Sequence, residues 1–146
     1  MPLKHRPTSK IRAAFGVTAA ALVLGVTGVR AQDAAEGWYT EEQAASGELA
    51  YLQNCEACHG DNLNGGVGGG PPLAGEVFFE HWTGVPLDGL FVYVKELMPQ
   101  DNPNSLSNQT VSNILAFILQ YNGFPAGSTA LSRNPNDLME MIIERP

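Results

Sequence analysis

At 146 residues the chain has room for one domain, since domains usually run to ~100–150 residues, and none for a second catalytic domain beside it. Its 44% hydrophobic and 16% charged residues are globular rather than disordered in character, while 16 Gly and 10 Pro imply many turns. All 15 acidic residues follow residue 31 but only three basic ones do, Lys95, Arg133 and Arg145, and the resulting −12 repels nucleic acid phosphates and anionic headgroups. Such a surface either suits a partner with a basic docking patch or serves solubility alone.

Residues 1–31 open with Lys4, Arg6, Lys10 and Arg12 and no acid, continue as an apolar run over residues 13–29, and end in Val29-Arg30-Ala31. This is the pattern of a secretory signal peptide cut before Gln32, which leaves a mature chain of 115 residues. The alternative is an uncleaved anchor, because 17 largely apolar residues sit at the lower edge of a bilayer span, and membrane contact is expected only in that case.

A short linker is expected over residues 32–39. Thr40, with Gln43 three residues on, then predicts a capped helix from about residue 41 to residue 57. Gly47, Tyr51 and Cys55 recur at steps of four, with Leu52 beside them, and this inward stripe carries Cys55 to the helix end before Gly60 and Asp61 stop it. Residues 60–75, GDNLNGGVGGGPPLAG, are too rich in Gly and Pro for a regular element and predict a loop that approaches something closely. EVFFEHW, ending at Trp82, follows as a short helical or irregular stretch, and Leu87, Leu90, Phe91, Val94 and Leu97 have the spacing of an amphipathic helix that Pro99 stops just after Met98. After a turn-rich loop, Ser107 is placed to cap a last helix with Val111, Ile114, Leu115 and Ile118 on one face, closed by Gly123 and Pro125. The tail, residues 126–146, has a turn signal at Asn134-Pro135 and an apolar run over residues 139–143 that is expected to dock on the domain.

The only two cysteines lie in Cys55-Glu56-Ala57-Cys58-His59, the spacing read as c-type haem attachment. Two thiols three residues apart can bond the two vinyl groups on one porphyrin edge, and the next residue then offers its imidazole to the iron. Three other readings compete: a redox-active Cys pair, half of a zinc site, and a small disulfide. The redox pair wants a strand before it and a βαβ setting, whereas helices and a glycine loop surround this motif. Zinc wants further ligands, and after His59 only His81 remains. No Ser-His-Asp set, distinctive carboxylate pair or phosphate loop is present, so no catalytic residue is assigned.

Over residues 40–125 the sequence resembles class I cytochromes c. Gly47 and Tyr51 stand where that family has a glycine and an aromatic in its first helix, and residues 114–118, ILAFI, are similar to the partner stripe of its last helix. The resemblance implies an all-α fold of three to five helices around one covalently attached haem. It implies that Cys55 and Cys58 attach the haem, that His59 and Met98 are the axial iron ligands, and that the carbonyl of Pro71 accepts the second N–H of His59. Trp82 is expected to donate its indole N–H to a haem propionate, and His81 is the rival sixth ligand. Residues 71–127 look most like cytochromes associated with periplasmic quinoprotein dehydrogenases, which implies a periplasmic carrier rather than an enzyme, with such a dehydrogenase as donor and an oxidase or another cytochrome as acceptor. The lysine-rich docking face of mitochondrial members has no counterpart here. Two rival functions remain: an open-site haem protein that binds small ligands or reduces peroxide, and a cytochrome subunit that works only inside a dehydrogenase complex.

Overall fold

In a computed structural model the chain is described over residues 37–146, so the basic leader and the expected cut before Gln32 lie outside the described residues. Within this range the regular structure is helical: α1 (Glu41–Asn54), α2 (Glu56–His59), α3 (Gly75–Trp82), α4 (Leu87–Leu97), α5 (Asn108–Tyr121) and a 3₁₀ turn (Pro135–Leu138). Extended pairing among the described residues is confined to two isolated bridges, Tyr39 with Ala126 and Pro86 with Ile142. The fold is therefore all-α, as the helical periodicity implies.

Side-chain caps start the two long helices. The Thr40 hydroxyl accepts the Gln43 amide of α1 at 3.2 Å, and the Ser107 hydroxyl accepts the Thr110 amide of α5 at 3.0 Å. The return half of the expected capping box does not form. The Gln43 side chain is buried instead, its Nε2 donating to Ser112 Oγ at 2.9 Å and to the Leu131 carbonyl at 3.0 Å, while its Oε1 accepts the Leu131 amide at 2.7 Å. A buried amide with three good partners holds more tightly than a solvent-exposed cap, because each unmade bond there would cost a desolvation penalty.

α1 and α5 cross in close contact at Gly47. A Cβ at this position would lie 1.8 Å from the Asn113 carbonyl oxygen and 3.0 Å from the Phe117 Cβ, so only glycine lets the two backbones meet. One turn on, buried Tyr51 packs its ring against Phe117 with centroids 5.3 Å apart. Leu52, expected on the inward stripe, is 40% exposed, because a step of one from Tyr51 turns it about 100° away from the seam. Leu97 likewise departs from the α4 stripe and is exposed, whereas Leu87, Leu90, Phe91 and Val94 are buried.

The first helix is also shorter than its pattern suggests. It ends at Asn54, whose side chain donates to the Ala50 carbonyl at 2.7 Å and competes there with the backbone ladder. Cys55 bends the chain (φ −127°, ψ −31°), and α2 starts again at Glu56.

The ends of the described chain add core. Trp38 and Tyr39, in the stretch expected as linker, are buried: Trp38 meets Phe124 at 4.7 Å between centroids, and the Tyr39 hydroxyl donates to the Phe124 carbonyl at 2.7 Å. In the tail, Leu131, Leu138, Met141 and Ile143 are buried, while Met139 and Ile142 alternate outward. Over residues 141–143 this alternation arises because the segment pairs in extended form with residues 84–87, whose turn it covers, while Met139 lies in the turn that ends the 3₁₀ helix.

Gly47→Val is expected to lower stability by at least ~1–3 kcal/mol, the usual range for overpacking, because the obstacle is a backbone carbonyl that no rotamer change can move. Chemical denaturation of the holoprotein measures this; an unchanged midpoint would show that α1 and α5 do not cross at Gly47.

Candidate functional site

The site is built where α1 gives way to α2. Tyr51 fixes the turn from below, its hydroxyl donating to the Gly60 carbonyl at 2.6 Å. Burial above all pushes this phenol above its ordinary pKa, so it stays a donor throughout the neutral range. The bend at Cys55 then places the four residues from Glu56 to His59 on one helical turn, with Cys55 half-buried, Cys58 exposed and His59 only 9% exposed.

The glycine loop closes over this turn. Its amides donate to the motif's own carbonyls: Gly65 to His59 at 2.9 Å, Gly66 and Gly70 each to Cys58 at 2.9 Å, and Gly68 to Ala57 at 3.1 Å. A Cβ at Gly66, Gly68 or Gly70 would fall within 2.9 Å of motif atoms. The object that this loop approaches so closely is therefore the Cys-x-x-Cys-His turn itself. These bonds satisfy carbonyls that the end of a four-residue helix leaves without intrahelical partners.

The loop ends by meeting the histidine. His59 Nδ1 lies 2.8 Å from the Pro71 carbonyl oxygen. A carbonyl only accepts, so Nδ1 carries the proton and Nε2 is left as the unprotonated nitrogen suited to a metal. The structure thus brings together Cys55, Cys58, His59 and Pro71.

Trp82 and Met98 arrive from the other part of the fold. Trp82 ends α3, and its ring meets Tyr93 of α4 edge-on at 5.6 Å. Met98 is the C-cap of α4, its amide donating to the Val94 carbonyl at 3.1 Å, and it packs half-buried against the core that also supports Cys55. Among the described residues, no hydrogen bond or ring contact joins Trp82 or Met98 to the four residues of the first group. His81 is exposed on α3, with Nδ1 2.9 Å from the Val77 carbonyl one turn back.

Two positioning residues carry no local signal in the sequence. Asn122 accepts the Gly75 amide at 3.0 Å and donates to the Leu73 carbonyl at 3.0 Å, which ties the segment after Pro71 to the end of α5. Tyr93, the ring partner of Trp82, reads in the sequence only as an exposed position of an amphipathic helix.

The arrangement discriminates among the readings of the cysteines. Burial first, and Cys58 second, push the Cys55 thiol up to about 11, the opposite of the lowered thiol of a redox-active pair. Neither cysteine is in a disulfide. Among the described residues no group of three or more His, Cys, Asp or Glu is placed to hold a bare metal ion, as a zinc site requires. Two unpaired thiols on one turn, followed by an imidazole with a fixed tautomer, fit a haem attached at Cys55 and Cys58.

Comparison with known proteins agrees. Thiosulfate dehydrogenase of Stutzerimonas stutzeri (strain A1501) is 32% identical over 79 residues, which cover 51% of this chain and 26% of that protein, so the chain spans about a quarter of the relative's length. The crystal structure of the sulfane dehydrogenase SoxCD from Paracoccus pantotrophus superposes with a TM-score of 0.53 at 25% identity, over 68% of this chain and 52% of that one. Residues 42–118, from the first turn of α1 to the last turn of α5, match the family described as cytochrome c oxidase, cbb3-type, subunit III. The chain belongs to that family, and is a c-type cytochrome with covalently bound haem c.

Proposed function

We propose that this cytochrome is a periplasmic single-electron carrier, exported by residues 1–31, which are cut off before Gln32, with residues 40–125 as its haem domain and residues 126–146 as a packed tail. The observation that carries the reading is the His59–Pro71 bond, because it fixes a buried imidazole in the tautomer that an iron ligand needs. When bound, the haem supplies the chemistry, one-electron exchange between ferrous and ferric iron.

The chain's own residues hold and tune it. Cys55 and Cys58 would anchor the group, and His59 and the Met98 thioether would bind its iron, a ligand choice that would favour the ferrous state. Trp82 orients a propionate. His81 stays outside, already bonded to its own helix. In this reading the protein carries electrons and does not itself catalyse. The two relatives, both named as dehydrogenases, support a dehydrogenase as donor, and an oxidase or another cytochrome serves as acceptor.

Three measurements bear on this reading. Replacing both Cys55 and Cys58 by Ala is expected to abolish covalent haem, read as the mass of the purified chain; normal haem mass in that variant removes the attachment site from this motif. In Met98→Ala the low-spin ferric spectrum should be lost and the potential should fall, while His81→Ala should leave both as in the parent. The opposite pattern makes His81 the sixth ligand, and a parent that binds cyanide as readily as Met98→Ala makes this an open-site haem protein. Electron transfer from the donor dehydrogenase should slow as ionic strength rises from about 0.01 to 0.15 M, because screening removes long-range steering of the acidic surface. A rate independent of salt leaves solubility as the role of that charge.

A further inference from the structure

The C-terminal segment lies beyond the part of the chain that matches the cytochrome family, which ends at residue 118, yet it is bound into the fold at four places. Its start is held by the buried Gln43–Ser112 pair, where Ser112 Oγ donates to the Leu131 carbonyl at 2.8 Å, so this end is fixed to both α1 and α5. Next, the 3₁₀ turn lays fully buried Leu138 in the core beside α4. The chain then pairs with the turn between α3 and α4: Gly84 donates to the Ile143 carbonyl at 2.8 Å, Ile143 to the Val85 carbonyl at 3.0 Å, and Leu87 to the Met141 carbonyl at 2.9 Å. Last, the Arg145 guanidinium reaches both carboxylate oxygens of Glu76 at 3.0 Å and lies 4.5 Å from the ring centroid of Phe79, both on α3.

The Leu87 bond matters for the helix that follows. α4 begins after Pro86 with no side-chain cap, and the Met141 carbonyl takes the first amide of the helix, one of the orphan donors at its N-terminus. At its other end the same helix terminates in Met98. α4 is packed along its length through Leu87, Leu90, Phe91 and Val94, so a shift of the helix body is carried to its end at Met98.

We infer that residues 131–145 are a strap that holds the α3–α4 corner against the α1–α5 pair and, through α4, keeps the Met98 sulfur seated on the iron. The inference rests on Met98 as the sixth ligand. An outside ligand can bind the iron only when Met98 has left, so its apparent affinity scales with the population in which α4 has shifted. Loosening the strap raises that population. These are positioning residues, which act through α4.

The test uses the full-length holoprotein in the ferric state with imidazole as the probe. Ile143→Ala, and a chain ended after Leu138, are expected to bind imidazole about tenfold or more tightly than the parent, as cavity formation and loss of the pairing favour the shifted state. Ile114→Ala, which removes the same side chain from a buried position outside residues 131–145, should lower the melting temperature without that gain. The inference is overturned if the strap variants melt earlier but bind imidazole as the parent does, or if Ile114→Ala gains affinity to the same extent. Should the shortened chain yield no holoprotein, Ile143→Ala decides alone. A parent that already binds imidazole as tightly as Met98→Ala overturns the ligand assignment itself and this inference with it; failure of the strap alone leaves parent and Met98→Ala distinct.

Discussion

The contact between Gly47 and the Asn113 carbonyl sets the rest of the molecule. With no side chain between them, α1 and α5 approach at backbone distance, and this fixes the height at which α1 ends. Two turns further on the chain reaches Cys55, whose bend, supported by Tyr51 from the same helix face, delivers both thiols and the imidazole on a single turn. A wider separation of the helices would carry Tyr51 away from Phe117, the ring that packs it in place beneath the Gly60 carbonyl. Packing between the two ends of the domain thus helps to set where the Cys-x-x-Cys-His turn lies.

Much of this was legible because it is encoded locally. The Cys-x-x-Cys-His spacing, the caps at Thr40 and Ser107, and the step-of-four stripe through Gly47 and Tyr51 each depend on residues a few positions apart. What escaped was encoded at long range. Nothing near Gln43 announces that its side chain will turn inward to Leu131, 88 positions away, and nothing near Gly84 announces a pairing with Ile143. Trp38 and Tyr39 look like linker because the helix begins after them, although two aromatics so close to a helix start are costly to leave in water. The break at Cys55 has only the neighbouring Asn54 as its signal.

The charge distribution gains meaning once the cations are placed. Of the three basic residues beyond residue 31, Arg145 is committed to Glu76 and Phe79, and Lys95 to the Asn104 carbonyl and side chain. Both therefore spend their donors inside the molecule. The acidic excess of −12 beyond residue 31 stands whatever those donors bond to, and it makes the long-range field of that part of the chain predominantly negative.

Glycine-rich stretches are commonly regarded as pliable and forgiving of replacement. The one between Asp61 and Pro71 has the reverse character, because its amides are committed to the carbonyls of Ala57, Cys58 and His59 and three of its glycines sit where a methyl group would strike the motif. A core leucine can be exchanged for isoleucine or methionine at modest cost, since neighbours of similar volume repack around it. Gly66, Gly68 and Gly70 have no such near equivalents, as the smallest side chain available is already too large. At these three positions, then, the loop has less mutational freedom than the hydrophobic interior: its apparent simplicity of composition records a mould fitted to the turn it covers.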